Sequence, residues 1–331
     1  MKELALVGDI GGTNARLALV EEGNTNLHDV HTLACRDFGN IDEAIEAYLN
    51  MAGSGPVARA CLAIASPLQG DEVHMTNNHW AFSTRAVKAR LGLAQLTLVN
   101  DFTAMALGML EVPPADLITV NAGLPVPNAP CLVMGPGTGL GTSALIPAGR
   151  HWVPLAAEGG HVSFAPTDDL EIAVLQHLSA RFGRVSIERI LSGQGIVNLY
   201  RAIAAYRHTP AALQDAAQIT EAALQGDPLA EESLQRFCRI LGDVAGDAVL
   251  TLGARGGVYL CGGILPRIQT YFMHSGFRAR FESKGRYQNY LAQVPVYLCT
   301  SLYPGLMGAA AALNNPLLPG AQQAAEGSTN D

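Results

Sequence analysis

The sequence predicts an α/β protein of two domains, and three observations carry that expectation. The chain has 331 residues, beyond the roughly 250–300 at which single cores stop growing. Strand-like runs alternate with helical patterns along it. One unusual unit also occurs twice, "LVGDIGGTNARLALV" at 6–20 and "CLVMGPGTGLGTSALI" at 131–146. Each copy is two strand-like runs around a glycine turn. Their separation is far too long for a solenoid repeat and fits a duplicated α/β domain. Two facing domains of this kind aim two glycine turns into one cleft.

Taken in order, residues 4–10 and 13–20 are aliphatic and β-branched, with Gly11-Gly12 between them, which reads as a hairpin. A third strand is expected around 28–35. "IDEAIEAYLNMA" (41–52) has helical periodicity with acids in its first turn. "VARACLAIA" (57–65) reads as a buried strand, and "STRAVKARL" (83–91) as a helix with Ser83 or Thr84 at its N-cap. "QLTLVN" (95–100) is a strand that hands over to a helix, "DFTAMALGML" (101–110). Proline and glycine crowd 112–130, a domain boundary. After the second unit, helical patterns fill 168–252, interrupted near Ser192–Gly195 and Pro210. "GGVYLCGG" (256–263) and "VPVYLCT" (294–300) are strands, and "PGLMGAAAALN" (304–314) is a closing helix with Pro304 in its first turn. The remaining residues read as a frayed tail.

Composition narrows the function classes. A net charge of −8 without a basic cluster argues against a nucleic-acid partner. The apolar stretches are too short or too broken by glycine to span a bilayer. The start of the chain has no basic n-region or cleavage site, so the expected place is the cytoplasm. The six cysteines form no CxxC pair and mostly sit in apolar runs, as small buried hydrophobes do.

Backbone N–H groups in a tight turn make a concave anion site, and glycine lets a phosphate approach. Thr13 and Thr138 add hydroxyl donors beside the two turns. Neither stretch holds the P-loop pattern GxxxxGK[ST]. The dinucleotide pattern GxGxxG also fails, because Leu140 stands where the third glycine belongs, and the run that follows reads as strand. One such turn alone is an ordinary hairpin; two copies, one bearing Asp9, point to a nucleotide. A carboxylate beside phosphates needs a cation between them. Asp9 is therefore a candidate to hold Mg²⁺, directly or through water, its bland alternative being a turn-capping Asp.

Asn100 and Asp101 fall where an apolar strand meets a helix, the end at which open α/β sheets bind ligands. Asp101 there is either an N-cap or, beside a hydroxyl, a proton acceptor. "AAEGGH" (156–161) places Glu158 and His161 around two glycines, in a loop. Glu188, in "SIERILSG", falls in the first turn of a short helix, where it either complements the dipole or faces a ligand. Three carboxylates, an Asn and a His form a set suited to a polyhydroxyl ligand.

"GDIGGTNARLAL", "LVNDFTAMALG", "MGPGTGLGTS", "AAEGGHVSFAP", "ERILSGQGIVNLY" and "VYLCGGILPRI", in this order from about residue 4 to 312, resemble bacterial glucokinase of the proteobacterial type. That family belongs to the hexokinase, Hsp70 and actin superfamily of ATPases. The resemblance implies an actin-like ATPase (ribonuclease H-like) fold, with a cleft between a small domain (1–110 plus 301–315) and a large one (111–300), and 316–331 as tail. It implies transfer of the γ-phosphoryl group of ATP to the 6-hydroxyl of glucose, with Asp101 as catalytic base. Asn100, Glu158, His161 and Glu188 would bind glucose hydroxyls, with Asn77 a further contact. Gly8, Asp9, Ile10, Gly11, Gly12 and Thr13 resemble the first phosphate segment, and Gly135, Gly137, Thr138 and Gly139 lie in the second. Gly262 and Gly263 resemble the adenosine segment, and the 304–308 run borders the nucleotide. Mg²⁺ would bridge phosphate oxygens near Asp9, and the assembly implied is a homodimer.

Sugar kinases grouped with repressors often carry a cysteine-rich zinc motif after their Glu-Gly-x-His stretch. Here "VSFAPTDD" follows, so no structural zinc is expected, and the early first strand leaves no room for a helix-turn-helix. The rival readings are a kinase for mannose or fructose, a non-catalytic sugar or nucleotide sensor on the same fold, and use of ADP or polyphosphate as donor. A chaperone-like ATPase would need a substrate domain that 315–331 is too short to supply.

Overall fold

Gly11 and its neighbours close a hairpin because β1 (Leu4–Ile10) and β2 (Asn14–Glu21) put aliphatic side chains into one core. They pair antiparallel from Leu4↔Glu21 to Ile10↔Ala15, and the Gly11 amide donates to Asn14 O at 3.0 Å. In the computed structural model, residues 3–66, 68 and 70–318 are described; most of the tail expected at 316–331 therefore lies outside the described residues. β3 (His28–Ala34) pairs antiparallel with β2. α1 (Ile41–Ala52) follows, capped by Asn40 and ended at Gly53, whose φ of 61° suits glycine.

β4 (Arg59–Ile64) lies parallel to β1. A small ribbon of β5 (Glu72–His74) and β6 (Ala81–Ser83) leads into α2 (Thr84–Arg90), where Ser83 Oγ accepts from Ala86 N at 3.1 Å. β7 (Gln95–Asn100) lies parallel to β4 and passes directly into α3 (Asp101–Gly108). β8 (Leu117–Asn121) comes next. The second glycine turn joins β9 (Cys131–Pro136) to β10 (Leu140–Ala148), and β11 (His151–Ala157) follows. The helical region resolves into α4 (Asp169–Phe182), α5 (Gly193–Tyr206), α6 (Ala216–Leu224) and α7 (Pro228–Leu252). α7 has Asp227 as N-cap, Pro228 in its first turn and Gly253 as a left-handed C-cap. β12 (Gly257–Leu260), three short helices α8 (Gln269–Met273), α9 (Phe277–Glu282) and α10 (Gln288–Ala292), β13 (Val296–Cys299) and α11 (Pro304–Leu313) complete the order.

The strands form a five-stranded sheet, β3-β2-β1-β4-β7, and a six-stranded sheet, β11-β10-β9-β12-β13-β8. The chain divides into two compact units. The first comprises the residues up to Asp116, Leu145–Ala156 and the chain from Ser301; the second comprises Leu117–Ala144 and Ala157–Thr300. The first is built on Leu6, Ile10, Leu17, Ile45, Tyr48 and Trp80. The second is built on Leu132, Leu199, Phe237, Leu241, Val258 and Phe281.

Within the first unit α3 and α11 cross at two glycines. A Cβ on Gly308 would lie 1.6 Å from Ala104 O, and one on Gly108 would lie 1.9 Å from Pro304 O. No side chain fits there, so the helices touch backbone to backbone.

Three features depart from the sequence reading. The Pro/Gly-rich 112–130 run contains β8, which pairs antiparallel with β13. β11 extends the six-stranded sheet where no strand was expected. Helices α8–α10 occupy a region that carries no clear helical signal. All six cysteines are buried and free. Among the described residues, no helix is long and apolar enough to cross a membrane.

Candidate functional site

In the first unit the parallel strands β1, β4 and β7 end together. Ile10 is in register with Ile64, and Ile64 with Asn100. Two strand spacings separate Ile10 from Asn100, roughly 10 Å. The first glycine turn and the Asn100-Asp101 pair therefore share one carboxyl edge of the sheet.

The turn is held by its neighbours. Asn78 Nδ2 donates to Gly11 O at 3.2 Å, and Cys35 N to Thr13 O at 2.9 Å. A Cβ on Gly12 would lie 2.6 Å from Asn77 Cβ, so glycine lets the Asn77 backbone pack against the turn. The Asn77 side chain itself is exposed. The Gly11 amide is used within the hairpin, which leaves those of Gly12 and Thr13 as the turn's candidate donors to an anion. A cavity of about 360 Å³ opens beside it, lined in part by Thr13, Asn14, Cys35, Arg36, Asn78 and His79.

Asp9 faces Arg16 across the hairpin in register, with Arg16 Nη1 3.2 Å from Asp9 Oδ2. Burial raises the Asp9 pKa above the usual carboxylate range, and Arg16 opposes the shift only in part. Gly305, near the start of α11, makes room for it: a Cβ there would lie 3.1 Å from Asp9 Cγ. Arg16 is not singled out by the sequence, because it matters only through Asp9, and Gly305 enters only within the 304–308 run expected to border the nucleotide.

The cap of α3 is Asn100 rather than Asp101. Asn100 Oδ1 accepts from Phe102 N at 3.0 Å and Thr103 N at 3.1 Å. That fixes the Asn100 oxygen on the helix and leaves its amide NH₂ as the group for a ligand. Asp101 is the first helical residue, and its Oδ1 accepts from Phe102 N at 2.8 Å.

In the second unit the other glycine turn is the centre of a set of short ties. Gly137 N donates to Gly139 O, and Gly193 N to Gly137 O, both at 2.8 Å. Glu188 Oε2 accepts from Leu140 N at 3.0 Å, and a Cβ on Gly139 would lie 2.4 Å from that oxygen. The Glu158–His161 segment is a short 3₁₀ turn over Gly159–His161 rather than an irregular loop. It rests on β10: Gly159 N donates to Thr142 Oγ1 at 2.7 Å, and a Cβ on Gly160 would lie 2.3 Å from Leu140 O. Glu158 and His161 are exposed, with His161 Nε2 4.0 Å from Glu158 Oε2.

Gly262 takes φ 84° after β12, and a Cβ on it would lie 2.5 Å from Pro136 O. Gly137 and Gly263 are also close, 4.0 Å from a Cβ on the former to the amide of the latter. The unit thus gathers Gly135, Gly137, Thr138, Gly139, Gly262 and Gly263 at the ends of β9 and β12, with Glu158, His161 and Glu188 reached from β10. Among the described residues, no group of three or more His, Cys, Asp or Glu side chains is placed to hold a metal ion.

The family model for glucokinase matches residues 6–316. The chain belongs to the glucokinase family. This glucokinase-family chain is 54% identical over 312 residues to the glucokinase of Marinobacter nauticus, covering 94% of this chain and 97% of that one. It is 51% identical to the glucokinase of Chromohalobacter salexigens, covering 95% and 99%. Among solved structures, glucokinase from an Antarctic psychrotroph superposes with a TM-score of 0.88 at 39% identity, covering 95% and 99%. The sugar-kinase fold and family implied by the six motifs are thus found along nearly the whole chain.

Proposed function

We infer that this chain phosphorylates glucose to glucose 6-phosphate with ATP. The observation that carries the reading is its near-complete alignment with glucokinases at 50–54% identity. The residue roles are our proposal. Asp101 orients the 6-hydroxyl and accepts its proton as the oxygen attacks phosphorus. What supports this is its position at the carboxyl edge that also carries the first glycine turn. Asn100, Glu158, His161 and Glu188 bind sugar hydroxyls, and Asn77 adds a contact from the turn against Gly12. The amides of Gly12 and Thr13 in the first turn and of Thr138 and Gly139 in the second, with the Thr13 and Thr138 hydroxyls, stabilise the charge on the transferring group, since the Gly11 and Gly137 amides are used within their own turns. Gly262-Gly263 border the adenosine.

Asp9 fits Mg²⁺. It is a single carboxylate beside an amide turn, and Mg²⁺ takes one or two carboxylates and keeps several waters. Burial raises the Asp9 pKa and Arg16 offsets this only in part, so a cation beside it would favour its charged form. Asp9 would hold the ion, directly or through water, and the ion would supply neutralisation of phosphate charge there. We also propose membership of the hexokinase, Hsp70 and actin superfamily, a homodimer, a cytoplasmic location, and a functional division into 1–110 plus 301–315 and 111–300.

The decisive experiment is steady-state kinetics on glucose, mannose and fructose with ATP, ADP and polyphosphate as donors. The highest kcat/KM is expected for glucose with ATP. A higher value for mannose or fructose, or for another donor, overturns that part of the reading. ADP release that ignores sugar altogether favours a sensor instead.

A further inference from the structure

Ser192 belongs to none of the sets above, yet it joins two of them. It is 3% exposed and caps α5, its Oγ accepting from Gly195 N at 3.0 Å. The same hydroxyl donates to the main-chain carbonyl of Glu188 at 2.8 Å. The next residue, Gly193, donates its amide to Gly137 O in the second glycine turn. Glu188 meanwhile reaches the far side of that turn, at Leu140 N. Two separate ties thus run from Glu188 to the glycine turn, one through its side chain and one through Ser192 and Gly193. Asn198, 1% exposed, anchors the middle of the segment by donating to Arg189 O at 2.8 Å.

A carboxylate has about four lone-pair positions, so Glu188 can keep Leu140 N and still accept from a sugar hydroxyl. A sugar that immobilises Glu188 then immobilises both ends of the turn, and a nucleotide arriving afterwards has less disorder to remove. Linkage makes the effect reciprocal.

We propose that Ser192 is a positioning residue that couples the sugar carboxylate Glu188 to the second glycine turn, so that sugar and nucleotide bind with positive cooperativity. The proposal rests on the reading that Glu188 binds glucose and Gly135–Gly139 binds phosphate.

The test is calorimetric titration of the full chain with the non-hydrolysable ATP analogue AMPPNP and Mg²⁺, with and without saturating glucose. In the wild type, glucose should lower the AMPPNP Kd about fivefold or more, the lower end of ordinary coupling. Ser192→Ala should reduce that ratio below about twofold, and Ser192→Thr, which keeps the hydroxyl, should restore it. Loss of a helix cap alone lowers the melting temperature without changing the ratio. Ser192→Ala retaining the wild-type ratio overturns the proposal.

If Ser192→Ala does not fold, amide exchange on the wild type decides. Glucose alone should slow exchange at Leu140 and Gly193, and unchanged rates overturn the proposal. A wild type that phosphorylates glucose but shows a ratio of one overturns this inference only. A wild type that releases no ADP with glucose overturns the glucokinase reading, and this inference with it.

Discussion

Asp9 and Asp101 stand at the same edge of one sheet but in different surroundings. Asp101 opens α3, where its Oδ1 accepts from Phe102 N at 2.8 Å. If Asp101 is the proton acceptor proposed above, replacing it by Ala is expected to lose about 10²–10⁴ in kcat, with AMPPNP binding kept. A coupled ADP-release assay with titration of AMPPNP checks both halves, and near-normal turnover would remove Asp101 from the role. Asp9 is three-quarters buried, and that burial raises its pKa against the opposing effect of Arg16. Its folded-state pKa lies above the unfolded value of 3.8, so the native state binds the extra proton and loses stability as pH rises through that window. Asp9→Asn should therefore melt higher than the wild type at pH 7, with the gain shrinking toward pH 4, while activity is lost. Melting curves across that range decide it; a lower melting temperature at pH 7 contradicts the sign.

At the level of elements, α3 and α11 show how much of the site depends on packing that no local pattern reveals. α3 starts at Asp101, and α11 starts beside Asp9. Gly308→Ala would force a Cβ into Ala104 O and push the helices apart. Overpacking of this kind costs about 1–3 kcal/mol, occasionally more. Both a lower melting temperature and a lower kcat are expected, because the displaced helix carries Asp101, the proposed proton acceptor; a fall in stability with kcat unchanged would break that link. The hairpin around Gly11 and the helix at 41–52 are legible in the sequence, since turn chemistry and periodicity are local. The residues with polar chemistry are legible too, because carboxylates beside glycines stand out in an apolar chain. β8 is not, since "LITVN" lies among prolines and is made a strand by β13, far away in the chain. Arg16, Thr142 and Ser192 escape for the same reason. Each is an ordinary residue until the fold brings Asp9, Gly159, Glu188 or the glycine turn to it.

For the whole molecule, the two units have separate cores and distinct reporters. Both tryptophans group with the first unit, but Trp152 lies on β11 of the six-stranded sheet, so the reporter of the first core is Trp80, read in a Trp152→Phe background. The longest helices, α4, α5 and the 25-residue α7, belong to the second and dominate far-UV circular dichroism. The second unit also contains an ionic network. Glu171 of α4, fully buried, is paired with Arg236 of α7 at 2.8 Å and Arg280 of α9 at 3.3 Å, while Asp168 meets Arg236 and Asp243 meets Arg280 and Lys284. Removing one partner of a buried pair costs about 3–5 kcal/mol, because the other charge stays behind without its counterion. Arg236→Met should therefore lower the urea midpoint seen by circular dichroism and leave the tryptophan midpoint close to that of the wild type. Gly308→Ala should do the reverse, since its clash lies in the first unit. Two-state unfolding is an approximation that multidomain chains commonly violate, so separate midpoints are the physical expectation for cores built from different segments. If either substitution moves both midpoints together, the units unfold as one, and damage to the ionic network reaches Asp9 and Asp101 as well as Glu188.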